Sequence, residues 1–142
     1  EFKPVKAQKT LANAIQIGDP VSYKKAIKVL KEFNGIVEQA TEDELANASA
    51  QSDRTGLFSC PHTGVALAVL IKLLNKKEIH PHEKVVVIST AHGLKFPEFK
   101  IDYHENKLEE VTPRFANLPV EVQPKYDAVR TAIYRKLEQV SS

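Results

Sequence analysis

Apolar positions recur at helical spacing in four stretches of this chain and run unbroken in one short segment. Tyr23, Ala26, Ile27, Leu30 and Phe33 follow Ser22, a candidate N-cap, and Asn34-Gly35 supplies a left-handed stop, so the spacing predicts an amphipathic helix. Thr41-Glu42-Asp43-Glu44 fits a capping box and opens a helix rich in small residues, with Leu45, Ala48 and Ser52 on one face, ending by Thr55-Gly56. Thr63 to Lys76 reads as a helix with Thr63 at its N-cap. It is apolar nearly all round through Val65, Leu67, Val69, Leu70, Ile71, Leu73 and Leu74, a pattern that needs cover on several sides. Pro124 suits the first turn of a last helix whose stripe is Tyr126, Val129, Ile133, Leu137 and Val140.

Between the helices lie short strand candidates, Ile36-Val37-Glu38 and Leu57-Phe58-Ser59-Cys60. The unbroken run Val85-Val86-Val87-Ile88 reads as a strand buried on both faces and ending in Ser89-Thr90. Residues 1–21 form a polar lead-in with one apolar patch, Ala14 to Ile17, and a turn at Gly18-Asp19-Pro20. Asn75 to Lys84 is a charged loop, and residues 95–121, punctuated by Pro97, Pro113 and Pro119, read as irregular. Helices alternating with short buried strands predict an α/β class.

Length and charge narrow the picture. The 142 residues suit one domain or a piece of a larger one. A net charge of +2, with Lys and Arg scattered, announces no nucleic-acid surface. The longest apolar run, Val65 to Ile71, is too short to cross a bilayer. The single cysteine excludes an internal disulfide and fits a reducing compartment. The chain contains no Met and begins with Glu1, in front of which an initiator Met is not normally trimmed. It is therefore expected to be a processed or excised C-terminal piece of a longer protein. The apolar helix and strand, too much surface for one small domain to cover, point the same way.

Chemistry gathers in two places. Ser89 and Thr90 end a strand, where open α/β sheets hold ligands, and His92-Gly93 follow. The residues alone leave two readings: the hydroxyls face a ligand, or they satisfy turn amides while His92 caps a loop. Cys60-Pro61-His62-Thr63-Gly64 precedes the apolar helix, whose N-terminal amides attract anions. Cys60 with His62 suggests a thiol nucleophile or half a metal site, but no third or fourth ligand stands at a familiar spacing, and no metal is expected. The carboxylates of Glu42-Asp43-Glu44 and Glu109-Glu110 read as solvated faces, His80 and His82 as solvated, and Tyr103 and His104 as packing residues.

In this order, Ile15-Gln16-Ile17-Gly18-Asp19-Pro20-Val21-Ser22, Asn34-Gly35-Ile36-Val37-Glu38, Cys60-Pro61-His62-Thr63-Gly64-Val65-Ala66-Leu67, Ser89-Thr90-Ala91-His92-Gly93-Leu94-Lys95-Phe96 and Lys100-Ile101-Asp102-Tyr103-His104 closely resemble the C-terminal portion of plant-type threonine synthases. The resemblance implies the C-terminal part of an α/β pyridoxal 5'-phosphate enzyme of fold type II. Its helices would alternate with short, mostly parallel buried strands and end in an amphipathic helix. Residues 1–104 would belong to the large cofactor domain, and 105–142 would be an irregular segment plus helix. It further implies conversion of O-phosphohomoserine and water to threonine and phosphate, in a plastidial homodimer activated by S-adenosylmethionine.

By the same resemblance Thr90 places its hydroxyl beside the pyridine nitrogen of the cofactor. Ser89, His62 and Thr63 lie nearby, with Ser89 and Thr90 pointing to opposite faces of the strand. A neutral partner there would leave the ring a weaker electron sink than a carboxylate would. The family's Schiff-base lysine and its phosphate-binding loop have no counterpart here, so the chain alone is expected to be inactive. Two alternatives stand beside this reading: another lyase of the same fold, akin to threonine dehydratase, and a non-catalytic interaction module.

Overall fold

A computed structural model describes residues 2–141; Glu1, Ser142 and the side chains of Val140 and Ser141 lie outside the described residues. Among these the helices are α1 (Tyr23–Glu32), α2 (Glu42–Asp53), α3 (Pro61–Asn75), α4 (Pro97–His104) and α5 (Tyr126–Ser141), with 3-10 turns at Asn13–Ile15 and Gly93–Lys95.

Helix α2 is central because its sequence is both well started and thin. The Thr41 hydroxyl accepts from the Glu44 amide at 3.2 Å, and the Glu44 carboxylate accepts from the Thr41 amide at 2.8 Å, closing the capping box. Leu45 to Ala50 are then buried without interruption, mostly as small side chains, which lets α3 approach closely. The approach depends on Gly64: a Cβ there would lie 2.4 Å from the Leu45 carbonyl oxygen. Around α2 the core gathers Leu45, Ala46 and Ala50 with Phe99 and Tyr103 of α4 and Val111. The left-handed Gly56, at φ 90°, lets the chain leave α2 and turn back toward α3.

The acidic start of α2 corrects the expectation of a solvated face. Glu42 accepts from the Leu11 amide at 2.9 Å, and Asp43 accepts from the Thr112 amide at 2.9 Å and from Arg114 at 2.8 Å. Glu44 also pairs with Lys72 at 2.8 Å. Carboxylates at a helix N-terminus are already favoured there by the exposed amides. Here they also gather donors from both ends of the chain.

Several expected boundaries shift. Ser22 precedes α1 without a side-chain cap, whereas the left-handed stop expected at Asn34-Gly35 is present, with Asn34 at φ 51°. Thr63 is not an N-cap, because α3 starts earlier: Cys60 caps it and Pro61 fills its first position. Pro97 likewise opens α4 within a stretch expected to be irregular. Tyr103 is fully buried, as its packing role requires, and its hydroxyl donates to Asn47 at 2.8 Å.

None of the expected strands forms among the described residues; the backbone bridge between Ser59 and His92 is isolated and antiparallel. At Ile36-Val37-Glu38 and at 85–90 no backbone–backbone hydrogen bond forms among the described residues, and Val85, Val86 and Ile88 are exposed, Val86 at 89%. A strand is held by ladder hydrogen bonds to a second strand, and no segment described here lies beside these to supply them. Helix α3 buries only Pro61, Thr63, Gly64 and Ala68. The stripes of α1 and α5 are largely exposed. No described helix is long and apolar enough to cross a membrane.

Candidate functional site

The site begins with a short buried loop. Ser59 is fully buried; its amide donates to Asp53 at 3.1 Å, and its hydroxyl lies 2.8 Å from that of Ser52 and 3.2 Å from that of Ser49. Lys100 of α4 reaches into the same cluster, donating to Ser49 at 2.9 Å and to Asp53 at 2.6 Å, with its ammonium 4.7 Å from the Phe58 ring centroid. Burial lowers the Lys100 pKa, and the Asp53 carboxylate opposes that shift. With side chains 8% and 13% exposed, this pair fixes where residues 57–60 run.

Residues 91–93 are pinned to that loop. The Cys60 amide donates to the Ala91 carbonyl at 3.3 Å, and the Gly93 amide to the Phe58 carbonyl at 2.9 Å. His92 accepts from the Leu94 amide through Nδ1 at 3.2 Å and so caps the turn that follows. This clamp delivers Ser89 and Thr90 to the N-terminus of α3.

There, four side chains meet. The Cys60 sulfur accepts from the Thr63 amide at 3.4 Å and lies 3.3 Å from the Thr63 hydroxyl and 3.5 Å from that of Thr90. Thr63 Oγ1 also accepts from the Thr90 amide at 3.3 Å and contacts Ser89 Oγ at 3.3 Å. Cys60 and Thr63 are buried, whereas Ser89 and Thr90 are exposed. The expected opposition of Ser89 and Thr90 on two strand faces fails. Without a ladder the segment is free of the two-residue alternation, and both hydroxyls turn to the Cys60–Thr63 pair.

The thiol is unusual. Burial pushes its pKa up, but hydrogen bonds from the Thr63 side chain and backbone, from Thr90 and from His62 outweigh it, and the value falls from the ordinary 9.0 to about 6. Of the residues expected from sequence, Thr63, Ser89 and Thr90 are thus brought together. His62 borders the cluster: its Nε2 accepts from the Ala14 amide at 2.9 Å, and its ring packs 5.2 Å from that of Phe96. The sequence reading missed Cys60 as the centre of the cluster and Lys100 with Asp53 as its support. A Cys directly before a Pro, with Thr three residues on, was the available signal for the cap.

The arrangement presents an exposed, uncharged hydroxyl held from behind by a thiol and a second hydroxyl. That donor set fits an aromatic nitrogen or another neutral hydrogen-bonding atom. The groups bonded to Thr90 carry no carboxylate that would force a proton onto such a nitrogen.

Comparison with known proteins follows the same line. Over 138 residues the chain is 51% identical to Threonine synthase 2, chloroplastic, of Arabidopsis thaliana, covering 97% of this chain and 27% of that protein. It is 36% identical over 107 residues to threonine synthase of Methanocaldococcus jannaschii, covering 75% of this chain and 26% of that protein. To threonine synthase of Methanosarcina acetivorans it is 34% identical over 134 residues, 94% of this chain and 30% of that protein. The chain therefore spans between 26% and 30% of the length of these relatives. The family model described as pyridoxal-phosphate dependent enzyme matches residues 1–91, well over half of the 142. That match makes the chain a member of the pyridoxal-phosphate dependent enzyme family.

Proposed function

We propose that this chain is the C-terminal portion of a threonine synthase that converts O-phosphohomoserine and water to threonine and phosphate with pyridoxal 5'-phosphate. The observation that carries the reading is the exposed Thr90 hydroxyl, set 3.5 Å from the Cys60 sulfur by a clamp of backbone hydrogen bonds. Three relatives that share the name threonine synthase, one of them chloroplastic, support it. Thr90 holds the cofactor's ring nitrogen, Ser89 lies beside it, Thr63 braces both from behind, and His62 borders the same helix start. When bound, the cofactor withdraws electrons from the substrate's α-carbon. Thr90 is itself uncharged, so it does not hold a proton on the ring nitrogen by its own charge as a carboxylate would, and this moderates that withdrawal.

The proposal extends to the whole protein. Residues 1–104 complete the large cofactor domain and residues 105–142 form its tail, while the remainder of the polypeptide supplies the lysine that holds the cofactor and the site for its phosphate. That remainder also covers the exposed faces of α3 and the 85–90 segment. The complete protein is a plastidial homodimer activated by S-adenosylmethionine. The test is an assay of the complete protein with O-phosphohomoserine and, separately, with threonine. Phosphate release with threonine formation is expected. Deamination of threonine without turnover of O-phosphohomoserine would assign it instead to the dehydratase-like lyases.

A further inference from the structure

Beyond Thr90, the proton inventory of the cluster points to a second residue that governs what Thr90 can do. Thr90 Oγ1 owns one proton and lies against the Cys60 sulfur on its protein side. The Thr63 amide already donates to that sulfur, and Thr63 Oγ1 is an acceptor for the Thr90 amide. If the sulfur carries its own proton, that proton goes to the Thr63 hydroxyl at 3.3 Å or the Thr90 hydroxyl at 3.5 Å, and with no negative charge on the sulfur the Thr90 proton is free to point outward. If the sulfur is a thiolate, it draws the Thr90 proton inward and leaves only lone pairs on the exposed side.

We propose that Cys60 is a positioning residue whose charge state decides whether Thr90 offers a proton or a lone pair to the cofactor's ring nitrogen. The inference rests on the reading that Thr90 meets that nitrogen. It stands on geometry, since Cys60 is fully buried, caps α3, and touches Thr63 and Thr90 at once. The lowered thiol, at about 6, means that both states are reached near neutral pH. The ionisable groups around it are His62 on its own helix, Lys100 of α4 with its partner Asp53 of α2, and His92 on the adjoining loop, whose ring packs against Phe58. Of these, Lys100 favours the thiolate through its charge, and His62 through a hydrogen bond.

The experiment uses the complete protein loaded with pyridoxal 5'-phosphate and reads the absorbance of the bound cofactor across pH, alongside thiolate absorbance in the ultraviolet. Wild type is expected to show thiolate formation and a cofactor step at the same pH, near 6. Cys60→Ser keeps a good N-cap for α3 and is expected to retain the cofactor but lose the step. In a Thr90→Val background the spectrum changes, and Cys60→Ser then has no further effect. A step that survives Cys60→Ser, or a thiol that stays protonated well above neutrality, overturns the role of Cys60 while leaving Thr90 in place. A cofactor spectrum indifferent to Thr90→Val overturns the reading of Thr90 itself, and the inference with it.

Discussion

At position 90 a hydroxyl stands where a carboxylate would have a different effect. Thr90→Asp in the complete protein would favour a protonated ring nitrogen. It is expected to shift the absorbance of the bound cofactor and to cut threonine formation about tenfold or more, equivalent to about 1.4 kcal/mol. An unchanged spectrum with unchanged product would refute the role given to Thr90. Cys60 makes a prediction about stability. Its pKa falls from 9.0 to about 6 on folding, so between these values the unfolded chain binds more protons than the folded one. Stability from this group is complete above about pH 9 and is lost as pH falls through about 6. Denaturant midpoints should therefore rise over that window in wild type and flatten in Cys60→Ser. Lys100 stands under both residues. Removing its ammonium leaves the half-buried Asp53 carboxylate without its counter-charge and with the Ser59 amide as its remaining donor, so Lys100→Ala is expected to cost roughly 3 kcal/mol in equilibrium unfolding. The contact of Cys60 with Thr90 and the support from Lys100 were not legible residue by residue. Cys60 and Thr90 are thirty positions apart, and the contact between them arises only when residues 91–93 dock on the 57–60 loop.

At the scale of elements, local rules succeeded where the signal was itself local. The Thr41–Glu44 box needs four consecutive residues and formed as expected. The start of α3 was misplaced by three residues because Thr63 and Cys60 both offer a cap acceptor, and Pro61 at the first position settles the choice for Cys60. Helix α4 was hidden because a proline read as punctuation is also a helix opener. The packing of α2 on α3 turns on one atom's room. Gly64→Ala would press a methyl against the Leu45 carbonyl oxygen, and a loss of about 1–3 kcal/mol is expected in thermal or denaturant unfolding. A variant as stable as wild type would mean that the helices separate more easily than their contact suggests.

For the molecule as a whole, the exposed apolar stripes matter most. Phe33 of the α1 region, Val86 and Ile88 of the unpaired segment, and Ile133 and Leu137 of α5 all lie open. Surfaces of this kind are rarely left uncovered. The chain alone is expected to self-associate, with light scattering reporting species larger than one 15.9 kDa chain. A monodisperse monomer would mean that these faces tolerate water. The sequence by itself determined four of the five described helices, α1, α2, α3 and α5, with the capping box, the buried role of Tyr103 and the family, because each depends on spacing or on short motifs that survive without knowledge of the fold. Tertiary structure alone decided that the apolar run at 85–88 finds no strand partner among the described residues, that Ser89 and Thr90 turn the same way, and that Cys60 stands behind them. Strand pairing, side-chain direction and proton sharing depend on what lies across from a residue in space, and the order of residues along the chain does not specify that neighbour.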